Sequence, residues 1–162
     1  MSTEVYQSPL PSRHAVRSLI SDLVGREVEL NDSDAVAKKS TNVVAVYVDD
    51  RTSMNAVMVC DLACAARLGG ALGLLPPPGV EDAIDEGDMY PLLRDNCYEV
   101  LNVLAAVFNV PGAPHVRLYE MYGPGDSLPP DVAGLAYAVG GRMDVVLSIA
   151  GYGDGHLSVV VK

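Results

Sequence analysis

Two pairs of segments have the composition of β-hairpins, and they constrain the fold more than any other feature of the chain. Residues 42–48 (NVVAVYV) and 55–60 (NAVMVC) are rich in β-branched side chains and flank a short polar turn. Residues 142–150 and 156–161 form the second pair, joined by Gly-Tyr-Gly-Asp-Gly, in which Asp-Gly is typical of a hairpin turn. The chain is therefore expected to build an antiparallel sheet.

Each hairpin is preceded by a helix and a single strand, so the order of elements is repeated. Residues 11–24 predict a helix that ends at a glycine, and 27–30 predict a short strand. In the second half, 90–108 predict a helix and 115–121 a strand. This approximate duplication indicates an α+β fold with helices packed on an antiparallel or mixed sheet. We expect a flexible tail over 1–10 and one domain over 11–162.

Three further segments connect these units. Asp61 has the chemistry of a helix N-cap and predicts a helix that continues to about Leu74. Residues 75–89 contain three consecutive prolines and an acidic run, and predict a solvated linker. A Pro-rich loop and a short helix near 131–139 are expected before the second hairpin.

Charge and cysteine content exclude several classes of protein. The chain has 162 residues and a formal net charge of −10, so phosphate backbones and anionic membrane surfaces would repel it. Its three cysteines form no CxxC pair, which favours a reduced, cytoplasmic protein. Residues 1–11 lack the apolar core of a signal peptide, and no apolar run has membrane-spanning length.

The helix predicted over 90–108 carries three polar side chains on one face. Asp95, Glu99 and Asn102 fall within about 60° of one another around the helix axis, and the remaining positions are largely apolar. An acid and an amide that face outward one turn apart can enter another protein's active site together. The alternative is that this stripe is only the solvated side of an amphipathic helix.

Other residue clusters give no comparable indication of catalysis. His14, His115 and His156 are far apart and lack the spacing of metal ligands. No serine lies in a GxSxG context. Residues 69–73 (GGALG) lie late in a helix rather than after a strand, so close helix packing or a frayed end explains them better than phosphate binding. We therefore expect no metal site and no cofactor on this chain.

The motif Asp95-x3-Glu99-x2-Asn102, followed by Pro124, resembles the signature of the CheC/CheX/FliY family. Members of this family are chemotaxis phosphatases that act on the phosphorylated response regulator CheY. The helix over 60–74 before the motif and the duplicated order of elements also fit. The resemblance extends over most of the chain, from about Ser12 onward.

The resemblance implies a role for each matching residue. Glu99 would grip a lysine of a CheY-like regulator, and Asn102 would point its amide at the water that attacks the aspartyl phosphate. Asp95 would help to orient the helix or the partner, and Pro124 would shape a neighbouring loop. The regulator supplies its own carboxylates and Mg²⁺, so the resemblance implies no cofactor here.

Two departures from the family pattern bear on the interpretation. Laid on the motif, Ser12-x3-Val16-x2-Leu19 of the first half lacks the acid and the amide. A single site is similar to CheX, a homodimer through sheet edges, for which 156–161 is a candidate edge strand. Ala106 stands where the family often has glycine. The alternative function is a non-catalytic module of the same fold that binds a receiver domain or a signalling complex.

Overall fold

Six strands and five α-helices form within residues 7–162, the part of the chain that the computed structural model describes. A 3₁₀ turn at Ala105–Phe108 continues the fourth helix. The helices are α1 (Arg13–Val24), α2 (Leu62–Leu72), α3 (Pro77–Glu86), α4 (Pro91–Leu104) and α5 (Pro130–Ala136). The strands are β1 (Val28–Asp32), β2 (Val43–Val48), β3 (Met54–Cys60), β4 (Arg117–Tyr122), β5 (Arg142–Ile149) and β6 (Gly153–Val161).

The strands form one sheet in the order β1-β5-β6-β3-β2-β4, and all five pairings are antiparallel. Exchanging the two halves of the chain only reverses this order, so the sheet has an internal pseudo-twofold relation. Each single strand pairs with the hairpin of the other half: β1 with β5, and β4 with β2. The α+β prediction is confirmed, and the two halves are interlocked in one sheet.

The two faces of the sheet bury separate apolar clusters. Helices α1, α2 and α4 cover one face, over a core that contains Tyr47 and Phe108, whose ring centroids are 5.2 Å apart. The Tyr47 hydroxyl donates a 2.6 Å hydrogen bond to the Leu101 carbonyl, which ties α4 to β2. Helix α5 covers part of the other face with a smaller, valine-rich cluster. No helix among residues 7–162 is both long and apolar enough to cross a membrane.

Helices α2 and α4 pack closely because a glycine lies at their contact. A Cβ atom added to Gly69 would lie 2.6 Å from the Leu93 carbonyl oxygen and 3.1 Å from the Cys97 nitrogen. The Asn96 side-chain amide also donates to the Gly69 carbonyl, at 3.1 Å. Close packing, one of the two explanations offered for this glycine-rich segment, is therefore correct at Gly69.

The predicted linker over 75–89 is wrong, because ten of its residues form helix α3. Its prolines lie at the helix start, where a missing N–H and a fixed φ angle are tolerated. The acidic run is not uniformly solvated either, since Glu81 accepts a 2.7 Å hydrogen bond from Arg67 Nη2.

The second hairpin turns earlier than the sequence suggested. The Tyr152 N–H donates to the Ile149 carbonyl at 3.0 Å, and Gly151 takes a left-handed φ of 85°. Asp154 and Gly155 lie inside β6 instead, where Gly155 faces the backbone of Cys64 at the start of α2 with no room for a side chain. Asp-Gly therefore marks a close contact between strand and helix, not the turn.

The prediction that 156–161 is an edge strand is also wrong. These residues belong to β6, which has β5 on one side and β3 on the other. The two outermost strands of the sheet are β1 and β4. Of the predicted tail, 1–6 lie outside the described residues, and Ser8 is buried.

Candidate functional site

Helix α4 is amphipathic, with apolar side chains on one face and polar side chains on the other. The helix begins with Pro91 at its first turn and runs for 14 residues. Its buried side chains pack on the sheet and on α2: Leu93, Cys97, Val100, Leu101 and Leu104. Because residues four apart share a face, the opposite side of α4 is left to solvent.

Asp95, Glu99 and Asn102 all lie on that solvent-facing side. Within residues 7–162, none of the three side chains makes a hydrogen bond or an ion pair. The structure thus brings the three predicted residues onto one face of one helix. An unpaired carboxylate and an unpaired amide keep their full hydrogen-bonding capacity for a group outside this chain.

Two large apolar side chains border the polar stripe. Leu92 is 52% exposed and Tyr98 is 41% exposed. They lie about 60° to either side of Asp95 around the helix axis. A polar stripe between exposed apolar side chains has the mixed character of a protein–protein interface. Neither residue was singled out from the sequence, although the helical periodicity that placed Glu99 also places them on this surface.

Pro124 lies in a loop that is bound to α4. Asp126 Oδ2 accepts a 2.9 Å hydrogen bond from Arg94 Nη2 and a 2.8 Å hydrogen bond from the Gly123 N–H. A Cβ added to Gly123 would lie 2.7 Å from the Arg94 guanidinium, so a side chain there would require that guanidinium to shift. Arg94 precedes Asp95, so this contact fixes the Pro124 loop beside the start of the polar stripe.

The Gly123 N–H and, second, the Arg94 guanidinium hold the pKa of Asp126 below its ordinary value. A carboxylate with two such donors is favoured in its charged form. Neither Arg94 nor Asp126 was selected from the sequence, because their pairing joins residues that lie 32 positions apart. Ala106 lies in the 3₁₀ turn that follows α4, and it is exposed rather than packed inside the chain.

Comparisons with known proteins identify the fold. Neither a protein-family model nor a curated protein matches the sequence. Among solved structures, FliM in the FliM–SpeE complex from H. pylori is 12% identical, with a TM-score of 0.59 over 91% of this chain and 80% of that one. FliY from Thermotoga maritima is 12% identical, with a TM-score of 0.55 over 90% and 82% of the two chains.

A third similar structure is the complex of CheX with CheY, BeF₃ and Mg²⁺ from Borrelia burgdorferi. Its matching chain is 10% identical to this one, with a TM-score of 0.52 over 91% of this chain and 93% of that one. The chain has the fold of the CheC/CheX/FliY family. At these identities the likeness concerns the fold, and it covers nearly the whole of each chain.

In this CheC/CheX/FliY fold, α1 is the counterpart of α4, but the alignment drawn from the sequence is out of register. It set Val16 opposite Glu99, whereas Val16 is buried in the core. Ser12 is the N-cap of α1 and accepts a hydrogen bond from the Ala15 N–H at 3.0 Å. Val16 therefore corresponds to a buried position of α4 and not to Glu99.

The side of α1 that is turned away from its buried residues carries His14, Ser18, Ser21 and Asp22, and Asp22 is exposed. His14 Nε2 and the Ser18 hydroxyl lie 3.4 Å apart, and the Ser21 hydroxyl donates to the Arg26 carbonyl at 2.7 Å. Helix α1 contains no asparagine and no glutamine, so it has no counterpart of the Asn102 amide.

Potential metal ligands do not cluster in the part of the chain that the structure describes: no group of three or more His, Cys, Asp or Glu side chains could hold an ion there. Cys60, Cys64 and Cys97 are buried, and none of them forms a disulfide. Burial raises the pKa of the Cys97 thiol, which disfavours the reactive thiolate.

Proposed function

We propose that this protein is a phosphatase that removes the aspartyl phosphate of a CheY-like response regulator. The joint exposure of Glu99 and Asn102 on one face of α4, with no partner inside the chain, carries the proposal. The sequence motif and the fold support it. So does the solved complex of CheX with CheY, which is a precedent for a CheY-like partner of a protein with this fold.

The proposed reaction requires a water molecule in line with the phosphorus atom. A neutral amide both accepts and donates hydrogen bonds, so Asn102 can hold that water and turn its lone pair toward phosphorus. Loss of such positioning costs a reaction about 100-fold in rate. The carboxylates and the Mg²⁺ that stabilise the transferred phosphoryl group would belong to the receiver protein.

Glu99 is proposed to anchor the helix in the partner's active site. A carboxylate on an exposed helix can accept a charge-assisted hydrogen bond from a lysine ammonium group, and this contact fixes depth and orientation. Asp95, one turn earlier, would steer the helix or contact the partner. Pro124 would hold the shape of the loop that Asp126 binds to Arg94.

The alternative is a module of the same fold that binds its partner without catalysis. Its specific support is the similarity to FliM, which was solved in complexes with SpeE and with FliG at TM-scores of 0.59 and 0.52. Ala106 in place of the family glycine is also compatible with this alternative. Both functions would use the exposed face of α4, and they differ in whether phosphate is lost.

Loss of phosphate from a phosphorylated receiver distinguishes the two functions. We expect added wild-type protein to accelerate the loss in the presence of Mg²⁺, and Asn102→Ala to lower the rate at saturation about 100-fold while binding is kept. The matched control is Asn31→Ala, because Asn31 is an exposed asparagine on β1. This control should behave as the wild type does.

Each outcome of this assay decides between the proposals. Binding of the receiver without acceleration of phosphate loss would refute the phosphatase and leave the binding module. Acceleration that Asn102→Ala does not change would show that another group positions the water. An equal loss in Asn31→Ala would show that the effect is not specific to α4.

The resemblance also predicts a homodimer, and we propose β4 as its contact. This outermost strand exposes Arg117, Tyr119 and Glu120, so two antiparallel copies can set opposite charges against each other. On β1, Asp32 is paired with Arg13, and the exposed acid Glu29 would face like charge in a second copy. Sedimentation equilibrium should show a dimer that Glu120→Arg weakens and Glu29→Arg does not; a monomeric wild type would refute the dimer.

We also propose a cytoplasmic location. All three cysteines are free and buried, as expected for a protein of a reducing compartment. Resistance of the protein to thiol-reactive reagents until it is unfolded would agree with this, whereas a disulfide in protein isolated from cells would contradict it.

A further inference from the structure

A cavity of 590 Å³ opens on the α5 face of the sheet, away from the buried face of α4. Three segments line it: residues 38–44, residues 126–128 and one side of α5. Its volume is in the range of cavities that bind small molecules. The proposed phosphatase mechanism makes no use of this cavity.

The cavity is positively charged in a strongly acidic protein. Lys38 and Lys39 line it, and the chain has only one other lysine, Lys162. The Lys38 Nζ atom lies 5.7 Å from the centre of the Tyr137 ring, which holds it at the cavity. Asp126 is the one acidic residue that residues 7–162 contribute to the lining, and its carboxylate is already paired with Arg94. The lining therefore selects for an anion.

Neutral hydrogen-bond donors accompany the two ammonium groups. Ser40 and Ser127 line the cavity, and their hydroxyls have no partner among the described residues. The Tyr137 hydroxyl accepts from Asn42 Nδ2 at 3.2 Å, so its own O–H is left to donate. This number of donors exceeds what the two oxygens of a carboxylate need and suits the three terminal oxygens of a phosphate monoester.

The wall also offers an apolar surface. Val44, Leu128 and Ala133 supply aliphatic contacts beside the Tyr137 ring. A ligand with a planar or apolar body would match this wall better than a bare inorganic anion.

We propose that this cavity is a binding site for a small organic phosphate of the nucleoside monophosphate class. The phosphate lies at Lys38, Lys39 and the serine hydroxyls, and the body lies against Val44, Leu128 and Ala133. The Gly125 N–H donates to the Ser40 carbonyl at 2.8 Å, so the ligand rests on the loop that contains Pro124. The inference does not depend on the phosphatase activity.

Amide chemical shifts of the full chain test the site. We expect adenosine monophosphate, guanosine monophosphate or both to shift the amide signals of 38–44, 125–128 and 133–137 in a saturable manner. Inorganic phosphate and adenosine serve as separate fragments and should each bind at least about tenfold more weakly than adenosine monophosphate. The double substitution Lys38→Gln/Lys39→Gln should weaken binding about tenfold or more.

The single substitutions Lys38→Gln and Lys39→Gln are each matched by the control Lys162→Gln, which removes one positive charge just after β6 and outside the cavity. Equal weakening in Lys162→Gln would overturn the site, because it would show only an effect of net charge. If inorganic phosphate binds as tightly as the nucleotides, the proposed contact with the organic part of the ligand is refuted. If adenosine binds as tightly, the proposed contact with the phosphate group is refuted. No saturable shift by either nucleotide up to about 10 mM would overturn the proposal.

Discussion

Helices α1 and α4 occupy equivalent positions against the pseudo-symmetric sheet. Only α4 carries both an acid and an amide on its outer face. Toward the core the two helices agree, since Val16 and Ile20 are buried as Cys97 and Leu101 are. Toward solvent they differ, since α1 exposes one acid, Asp22, and has no side-chain amide. The comparison teaches that the fold constrains the inner faces of both helices, whereas the proposed function constrains the outer face of one.

The same contrast extends to how each helix is fixed at its start. Arg13 of α1 pairs with Asp32 at the end of β1, and Arg94 of α4 pairs with Asp126 after β4, both at 2.9 Å. The Asp32 side chain is 88% exposed and makes this single polar contact with the described part of the chain, while Asp126 is 41% exposed and also accepts from a backbone N–H. Both helices therefore have an ion pair at their start, but only the Arg94–Asp126 pair beside α4 also fixes a loop through a backbone hydrogen bond.

The largest expected effect tests whether α4 is held by its contact with α2. Gly69→Ala should lower the free energy of unfolding by about 2–3 kcal/mol, because the new methyl group meets the backbone of α4. Gly79 in α3 is the control, since a Cβ there meets no atom within 4 Å. Gly79→Ala should raise stability by about 0.5–1 kcal/mol. Equal effects in urea unfolding would contradict the close contact.

A smaller effect is expected at Glu99. Glu99→Ala should raise the apparent KM for the phosphorylated receiver about tenfold and lower kcat less, since the anchor acts in docking. Higher salt should weaken the wild type more than the variant, because an exposed ion pair is screened. Glu29→Ala removes an exposed acid on β1 and should leave both parameters unchanged. Unaltered saturation in Glu99→Ala would count against the anchor.

The smallest expected effect is a pH dependence of the Pro124 loop. Asp126 has a lowered pKa in the folded protein, so its contacts stabilise the fold above the ordinary carboxyl pKa and are lost as pH falls through the lowered value. In Arg94→Gln the pKa should rise only part of the way to its ordinary value, because the Gly123 N–H contact remains. Arg13→Gln is the matched control and should leave it unchanged.

Carboxyl NMR titration of Asp126 in the three proteins makes this measurement. A pKa at the ordinary value in the wild type would show that the Gly123 and Arg94 contacts are not formed in solution. A shift in Arg13→Gln as large as that in Arg94→Gln would show a general charge effect rather than a contact specific to α4.

Local patterns were sufficient to predict most elements of the fold. Branched residues predicted the hairpins, and Gly25 and Asp61 marked helix ends through capping chemistry that acts over a few residues. Helix α3 was missed because its three prolines were read as the mark of a linker, whereas they occupy the first turn, which tolerates them.

Contacts between distant residues could not be predicted from these patterns. The position of β6 inside the sheet depends on pairing with both halves, and the correct register of α1 depends on which residues it buries. For the candidate site, helical periodicity placed Asp95, Glu99 and Asn102 on one face. The Arg94–Asp126 pair and the lysine-lined cavity arise only when separate segments meet.

The central claim is that the outer face of α4, and not that of α1, receives the receiver protein. Hydrogen exchange of this protein, alone and mixed with the phosphorylated receiver and Mg²⁺, tests it directly. We predict new protection centred on residues 91–106 and on the loop at 123–126, with none on 13–24. Protection centred on α1 or on β1, with α4 unchanged, would contradict the claim.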